Sequence, residues 1–417
     1  MKKNRNKRKE QGMRDTRFAS GLCLVAALML LSATPAVANV GVQCPPDTDG
    51  IDTNMDGLVD NDNVCMHLSA GDGYTQMADG KLQYIFSYSD LTGIEDMDMA
   101  LMQGMRAAVF PAPTIYLREG EKLYLTLTNV GMMDRPDLFD PHTVHWHGYP
   151  NAASIFDGVP DASIAVNMGA SLTYFYTSPG PGTYMYHCHV EATEHMQMGM
   201  LGNLYILPYQ DMLPDLTDLN GFTHHTNNKY AYNDGDGSTY YDVDFPIQLG
   251  SFDPDFHDAS MGTEPLPFAL MTDKYAMLNG RGYPDTVGPD RIATLEENNG
   301  VNSQPLNSLV EATQGDKVLL RLSNLNVTRF YTLAVTGMKM KVIGKDAKLL
   351  RGPTGLNLYY DTTSITLGGG EAVDVLLDTS TVPPGTYFLY TTNLNYLSND
   401  TEDFGGMMTE IRVTAGD

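Results

Sequence analysis

Residues 182–189 read Gly-Thr-Tyr-Met-Tyr-His-Cys-His, and His195 and Met200 follow. The aromatic and β-branched content predicts a strand. Strand side chains alternate between faces, so Cys188 would point one way and His187 and His189 the other. A thiolate, two imidazoles and a long axial thioether form the trigonal set that holds blue copper. Cys188, His195, Met200 and one upstream histidine would supply it. The same strand could then offer two imidazoles to neighbouring coppers.

The upstream partner is His142-Thr143-Val144-His145-Trp146-His147. The chain has ten histidines, at 67, 142, 145, 147, 187, 189, 195, 224, 225 and 257, and none beyond His257. A single histidine on a strand is more often structural than a ligand. Six of them in two clusters with a cysteine and a methionine point to metal. An imidazole pair such as His145 and His147 suits zinc or copper alike. Trp146, the only tryptophan, would position the imidazoles on either side of it.

Four segments carry a resemblance to a known family. They are His145-Trp146-His147-Gly148, Asp157-Gly158-Val159-Pro160, Pro181-Gly182-Thr183-Tyr184, and His187-Cys188-His189 with His195 and Met200. Together they resemble a multicopper oxidase of the laccase type in its two-cupredoxin-domain form, most strongly over residues 70–208. The resemblance implies that His142, Cys188, His195 and Met200 bind a type 1 copper. It implies a type 2 copper on His145, and type 3 copper on His147, His187 and His189. Asp157 matches the acidic residue that assists proton delivery to reduced oxygen. Met200 is the expected axial ligand; Met196 and Met198 would pack nearby. Two departures stand out. The family's trinuclear centre takes eight histidines, four from each of two domains, and this chain offers only four. The Cys188-to-His195 spacing is also two residues longer than in typical laccases, as in nitrite-reductase-like loops.

With 417 residues the chain is long enough for two domains and a sizeable core. Its formal charge is −25. Lys2, Lys3, Arg5, Lys7, Arg8, Lys9, Arg14 and Arg17 lead into an apolar stretch at 21–32, too short to span a bilayer comfortably. Ala36-Val37-Ala38 completes the pattern of a secretion signal over 1–38, with Asn39 as the mature start and a periplasmic or extracellular destination. Cys23 lies inside the apolar stretch, unlike a lipoprotein cysteine. Eight basic and two acidic residues leave with the signal, moving the charge from −25 to −31. So acidic a surface repels nucleic acid and anionic lipid and attracts cations. No membrane span is expected after cleavage. Of the remaining cysteines, Cys44 and Cys65 bracket one short segment and are expected to pair. That leaves Cys188 free, as a metal thiolate requires.

Between that pair, Asp47, Asp49, Asp52, Asn54, Asp56, Asp60 and Asp62 fall at close intervals with glycines at the bends. Such spacing suits a hard cation with oxygen ligands. It resembles calcium loops of the thrombospondin type 3 repeat, including the closing Asp62-Asn63-Val64-Cys65. Asn63 stands where an EF-hand would place its bidentate glutamate.

The rest reads as all-β: two consecutive cupredoxin (Greek-key β-sandwich) domains. Strands are predicted at 81–88, 114–117, 122–129, 171–177, 182–189 and 203–207, with a short Met-rich helix within 95–106. The boundaries follow: a signal at 1–38, an acidic disulfide-closed segment at 39–65, a copper-binding domain at 66–208, a linker at 209–245, and a second domain at 246–417. The second domain repeats the first. Asp316 to Asn324 matches Glu121 to Asn129, and Pro384-Gly385-Thr386-Tyr387 matches Pro181-Gly182-Thr183-Tyr184. In that alignment Tyr331, Ala334 and Thr336 replace His142, His145 and His147. Tyr390, Thr391 and Thr392 replace His187, Cys188 and His189. The second copy has lost its metal ligands.

The expected function is oxidation of a metal ion or phenol at the type 1 copper, with dioxygen reduced at a type 2/type 3 cluster shared within a homo-oligomer. Two-fold pairing of first domains would supply eight histidines. A trimer is the rival assembly. The alternatives are a copper nitrite-reductase-like enzyme and a non-catalytic blue-copper electron carrier. Methionines at 97, 99, 102, 105, 132, 133, 196 and 198 suit Cu(I), but they also fill irregular cores.

Overall fold

The computed structural model describes residues 42–416, except Asp60, Asn151, 289–291, Ala293 and the side chain of Phe404. The expected signal at 1–38, with Cys23, and the expected calcium ligand Asp60 lie outside the described residues.

Eight strands build the first sandwich: β1 (Asn63–Gln76), β2 (Leu82–Asp90), β3 (Ala112–Arg118), β4 (Lys122–Gly131), β5 (His145–His147), β6 (Ser171–Thr177), β7 (Gly182–His187) and β8 (Leu201–Leu207). One sheet runs β2-β1-β4-β6 and the other β3-β8-β7-β5. The β1/β4 and β3/β8 pairs are parallel and the others antiparallel. That mixture follows from strands that cross between sheets rather than return as hairpins. Two short helices complete it, α1 (Met97–Gly104), capped by the Asp96 carboxylate, and α2 (Ala192–Gln197).

The second sandwich repeats this order. Tyr275–Leu278, Val243–Phe252, Lys317–Asn324 and Glu371–Asp378 lie side by side as β2-β1-β4-β6 do. Val310–Thr313, Met408–Thr414, Gly385–Thr391 and Tyr331–Val335 follow β3-β8-β7-β5. The parallel pairs recur in the same places. Register agrees residue by residue: His145 sits opposite His187 in the first copy, and Ala334 opposite Tyr390 in the second.

Each sandwich has its own core. A third apolar cluster joins them, with Met185 and Leu201 of the first packed with Phe252, Met277 and Ala372 of the second. Thr183 Oγ1 donates to Asp374 Oδ1 at 2.6 Å across the same junction. Strand β7 is therefore buried on both faces. Tyr184 and Tyr186 face their own core, while Thr183 and Met185 face the other sandwich.

Three details differ from the sequence expectation. Strand β1 crosses the 65/66 boundary, and its buried polar residues His67, Ser69 and Asp72 hide it from a hydrophobic pattern. Residues 209–245 hold two small hairpins and the start of Val243–Phe252 instead of a plain connection. The strand expected over 182–189 ends at His187. Cys188 still donates its N–H to Met200 O at 3.1 Å, so the alternation of faces persists past the strand end.

Candidate metal centre

The first cluster forms around a sulfur. Cys188 Sγ lies 3.2 Å from His195 Nδ1 and 3.8 Å from His142 Nδ1. All three residues are buried, and Cys188 is a free thiol. His142 is fixed by a two-way backbone pairing with Val166. His195 comes from α2, whose turn brings it back over the end of β7. The Thr143 N–H points at the sulfur from 3.5 Å. Met200 is fully buried in the same core, and its N–H donates to His195 O at 2.9 Å.

Burial raises the Cys188 thiol to about 11 and lowers His195 to about 4; burial also puts His142 well below its ordinary value. A buried thiol facing two buried ring nitrogens is an expensive arrangement for a plain core. It is the donor set that a copper ion with a thiolate ligand requires.

The second cluster lies on the opposite side of the same backbone. Ligand atoms of His145, His147 and His187 fall within 4.8 Å of one another. The His189 ring is 5.0 Å from that of His145 and 5.7 Å from that of His187. Trp146 explains the placement on β5. It stacks on Tyr176 in the core at 4.0 Å, which turns His145 and His147 to the other face. His145 Nδ1 donates to Asp157 O at 2.6 Å, and His187 Nδ1 donates to Cys188 O at 2.8 Å. Both rings are thereby held with Nε2 free, the usual way a protein orients an imidazole ligand. The Asp157 carboxylate is 3.7 Å from His145 Nδ1. Gly158 makes that approach possible: at φ +80° a Cβ there would sit 2.3 Å from Val144 O.

Every histidine of the two sequence clusters thus falls in one of two side-chain groups, with Asp157 beside the second. The other four are engaged elsewhere. His67 bonds Ile94 O and Thr128, and His257 bonds the carbonyls of Tyr84 and Gln197. His224 meets Tyr230 and His225 meets Asp215. Sequence reading missed Asp140, whose Oδ2 is 4.0 Å from His195 Nε2. Its place two residues before His142 was the available signal. In the acidic segment Cys44 and Cys65 are bonded. Its carboxylates accept loop N–H groups: Asp62 from Thr53 and Asn54, Asp52 from Asp56 and Gly57, and Asp47 from Asp62. Asp49 pairs with Lys122.

Profiles described as multicopper oxidase match residues 100–211 and 261–413, most of the described chain. The chain belongs to the multicopper oxidase family. Among relatives, Laccase-3 of Thanatephorus cucumeris is 23% identical over 67% of this chain and 41% of its own length. L-ascorbate oxidase of Brassica rapa subsp. pekinensis is 24% identical over 69% and 45%. This multicopper oxidase chain therefore spans less than half the length of these relatives. The blue copper oxidase from Nitrosomonas europaea shares the fold, with a TM-score of 0.59 at 21% identity over 84% of this chain and 86% of that one. The copper nitrite reductase of Thermus scotoductus shares it too, with a TM-score of 0.53 at 15% identity over 84% and 61%.

The buried imidazoles make the metal-free protein acid-sensitive. Burial holds His187 near 3, far below its ordinary 6.5. The unfolded chain therefore takes up that proton first, and the stability present above pH 6.5 is lost as pH falls toward the folded value. Burial raises Glu194 and Asp211 to about 7, which works in the opposite sense, so a paired comparison is needed. Metal-free His187→Gln should gain on metal-free wild type by about 2 kcal/mol near pH 4.5 relative to pH 7. Paired denaturation curves check this; a difference independent of pH would contradict it.

Proposed function

We propose that this chain is an exported copper-dependent oxidase. It takes electrons from a reducing substrate beside Cys188 and His195 and uses them on dioxygen at the imidazole cluster. The observation that carries this is the junction at His187-Cys188-His189, where three consecutive residues belong to two different ligand sets. Bound copper would supply one-electron redox chemistry at the sulfur set, with His142, Cys188, His195 and Met200 as type 1 ligands. It would supply dioxygen reduction at the imidazole set, with His145 as the type 2 ligand and His147, His187 and His189 as type 3 ligands. The residues do the rest. Burial excludes water from the sulfur, consecutive backbone joins the two sets, and the Asp157 carboxylate, 3.7 Å from His145 Nδ1, would assist proton transfer there. Oxygen uptake with a generic reductant, measured with copper content, tests the reading. Blue colour without uptake would reduce the protein to an electron carrier.

The cluster has four histidines, and all other histidines of the chain are engaged elsewhere. We infer that a second copy completes it, with His145 of each chain on a shared type 2 copper.

A cationic donor fits the sulfur site better than a neutral one. Asp140 lies beside His195 Nε2, and Glu191 and buried Glu194 stand on the same side. Burial, then Glu191 and Asp140, push Glu194 up to about 7, the mark of carboxylates crowded together. Asp140→Asn should raise KM for ferrous or manganous ion by about tenfold and leave KM for a neutral phenol nearly unchanged. Equal effects on both donors would remove the support for a metal-ion substrate.

We also infer that the loop around Asp47, Asp49, Asp52, Asn54, Asp56 and Asp62 binds calcium. At about a hundredfold over its Kd, calcium would add about 2.7 kcal/mol to stability. The melting temperature should then rise by several degrees with calcium and fall with chelator, and a melt insensitive to both would refute it.

A further inference from the structure

A cavity of about 490 Å³ lies away from both ligand sets, and its walls come from three parts of the chain. Tyr116 and Arg118 of β3 and Leu207 of β8 belong to the first sandwich. Residues 211–213 and 226–229 belong to the connecting segment, and Tyr241 and Asp244 stand at the entry to the second sandwich. In β8, Leu201 pairs with His187 and Leu207 ends the strand, so the cavity is at the end of the sheet away from the imidazoles. The charges in its wall are unevenly partnered. The carboxylates are engaged: Asp211 Oδ1 accepts from Tyr230 N at 2.9 Å, and Asp244 Oδ2 lies 3.4 Å from Arg321 Nε. The cations are not. Among the described residues neither the Arg118 guanidinium nor the Lys229 ammonium has an ion pair, and Arg118 Nη1 is buried with no partner. A buried donor left open costs free energy that a bound acceptor would recover. Burial raises Asp211 to about 7, against the pull of nearby Arg118, Arg321 and Lys229. Near neutral pH the wall is therefore net positive, a local reversal in a chain of formal charge −25. The remaining wall is apolar or aromatic: Leu207, Met212 and Leu213, the half-exposed Tyr116 ring and the buried Tyr241 ring.

We propose that this cavity binds a small aromatic carboxylate, with the carboxylate on Arg118 and Lys229 and the ring against the tyrosines and apolar side chains. A guanidinium presents a planar pair of donors that matches the two oxygens of a carboxylate. An inorganic anion would leave the apolar wall uncovered, and a neutral ring would leave the guanidinium unpaired. Both sandwiches and the segment between them contribute walls, so the site exists only in the assembled chain. Occupancy therefore stabilises that assembly by linkage. None of the proposed copper ligands takes part, and the site does not depend on them.

Benzoate titrated into the full-length protein, followed by calorimetry and by melting temperature, tests the site. Saturable binding at one site per chain is expected, with a rise in melting temperature. The Kd should be the same with and without copper, which separates this outcome from that of the oxidase reading. Benzamide lacks the charge, and acetate and inorganic phosphate lack the ring, so each should bind at least about tenfold more weakly. Arg118→Gln should weaken benzoate by about tenfold or more. Lys229 is exposed, so Lys229→Gln should keep the fold and still weaken benzoate several-fold. Both variants should retain wild-type oxygen uptake. Absence of saturable benzoate binding, benzamide or phosphate binding as tightly as benzoate, or an unchanged Kd in folded Lys229→Gln would overturn the proposal.

Discussion

Cys188→Ser will abolish the intense blue absorption of the copper-loaded protein and bring its oxygen uptake down to background. The sulfur is the sole free thiol among the described residues, and both facing rings present Nδ1 to it. A serine hydroxyl cannot replace a soft, polarisable thiolate, which is what distinguishes this donor set from an ordinary imidazole pair. The fold should survive. Burial holds the thiol near 11 in the metal-free chain, so the neutral sulfur is a small core group there. Its replacement by a smaller polar one costs on the order of 1–2 kcal/mol. A variant that keeps the blue band, or one that unfolds, would show that the sulfur has a different role from the one assigned to it.

The second large effect is expected on dissociation. Diluting the protein, or adding salt that separates subunits without unfolding them, should abolish oxygen uptake while the blue absorption per chain stays constant. The two ligand sets differ in this respect. The sulfur set is complete within one chain. The imidazole set has His145, His147, His187 and His189 on one side and no further histidine free to close the other. Sedimentation run alongside oxygen uptake checks the prediction. A monomer with full oxidase activity would refute the shared cluster, and so would loss of colour and activity together. Copper content gives the same answer from another direction. One type 1 and one type 3 ion per chain with a type 2 ion between two chains is expected, and a single copper per chain is not.

Much of this was legible in the sequence because metal ligands are rare residue types at fixed spacing. The alternation of strand side chains around Cys188 is enough to place thiol and imidazoles on opposite sides. The internal repeat predicted that Ala334 and Tyr390 stand where His145 and His187 do, and strand register puts them opposite one another. What stayed hidden was of two kinds. Strand β1 carries buried His67, Ser69 and Asp72, hydrogen-bonded to Thr128, Ser89 and Tyr84 on other strands, so its apolar pattern is broken. Asp140 is recognised only by its nearness in space to His195, and its residue type is not diagnostic on its own.

The duplicated architecture bears on what the metal does for the scaffold. In the second copy Tyr331 fills the place of His142, is fully buried, and its hydroxyl donates to Asp273 at 3.1 Å. The sandwich around it closes with the same strand order and without the ligand residues. Copper is therefore a tenant of this framework and not its keystone, so the chain can finish folding first and acquire its ions afterwards.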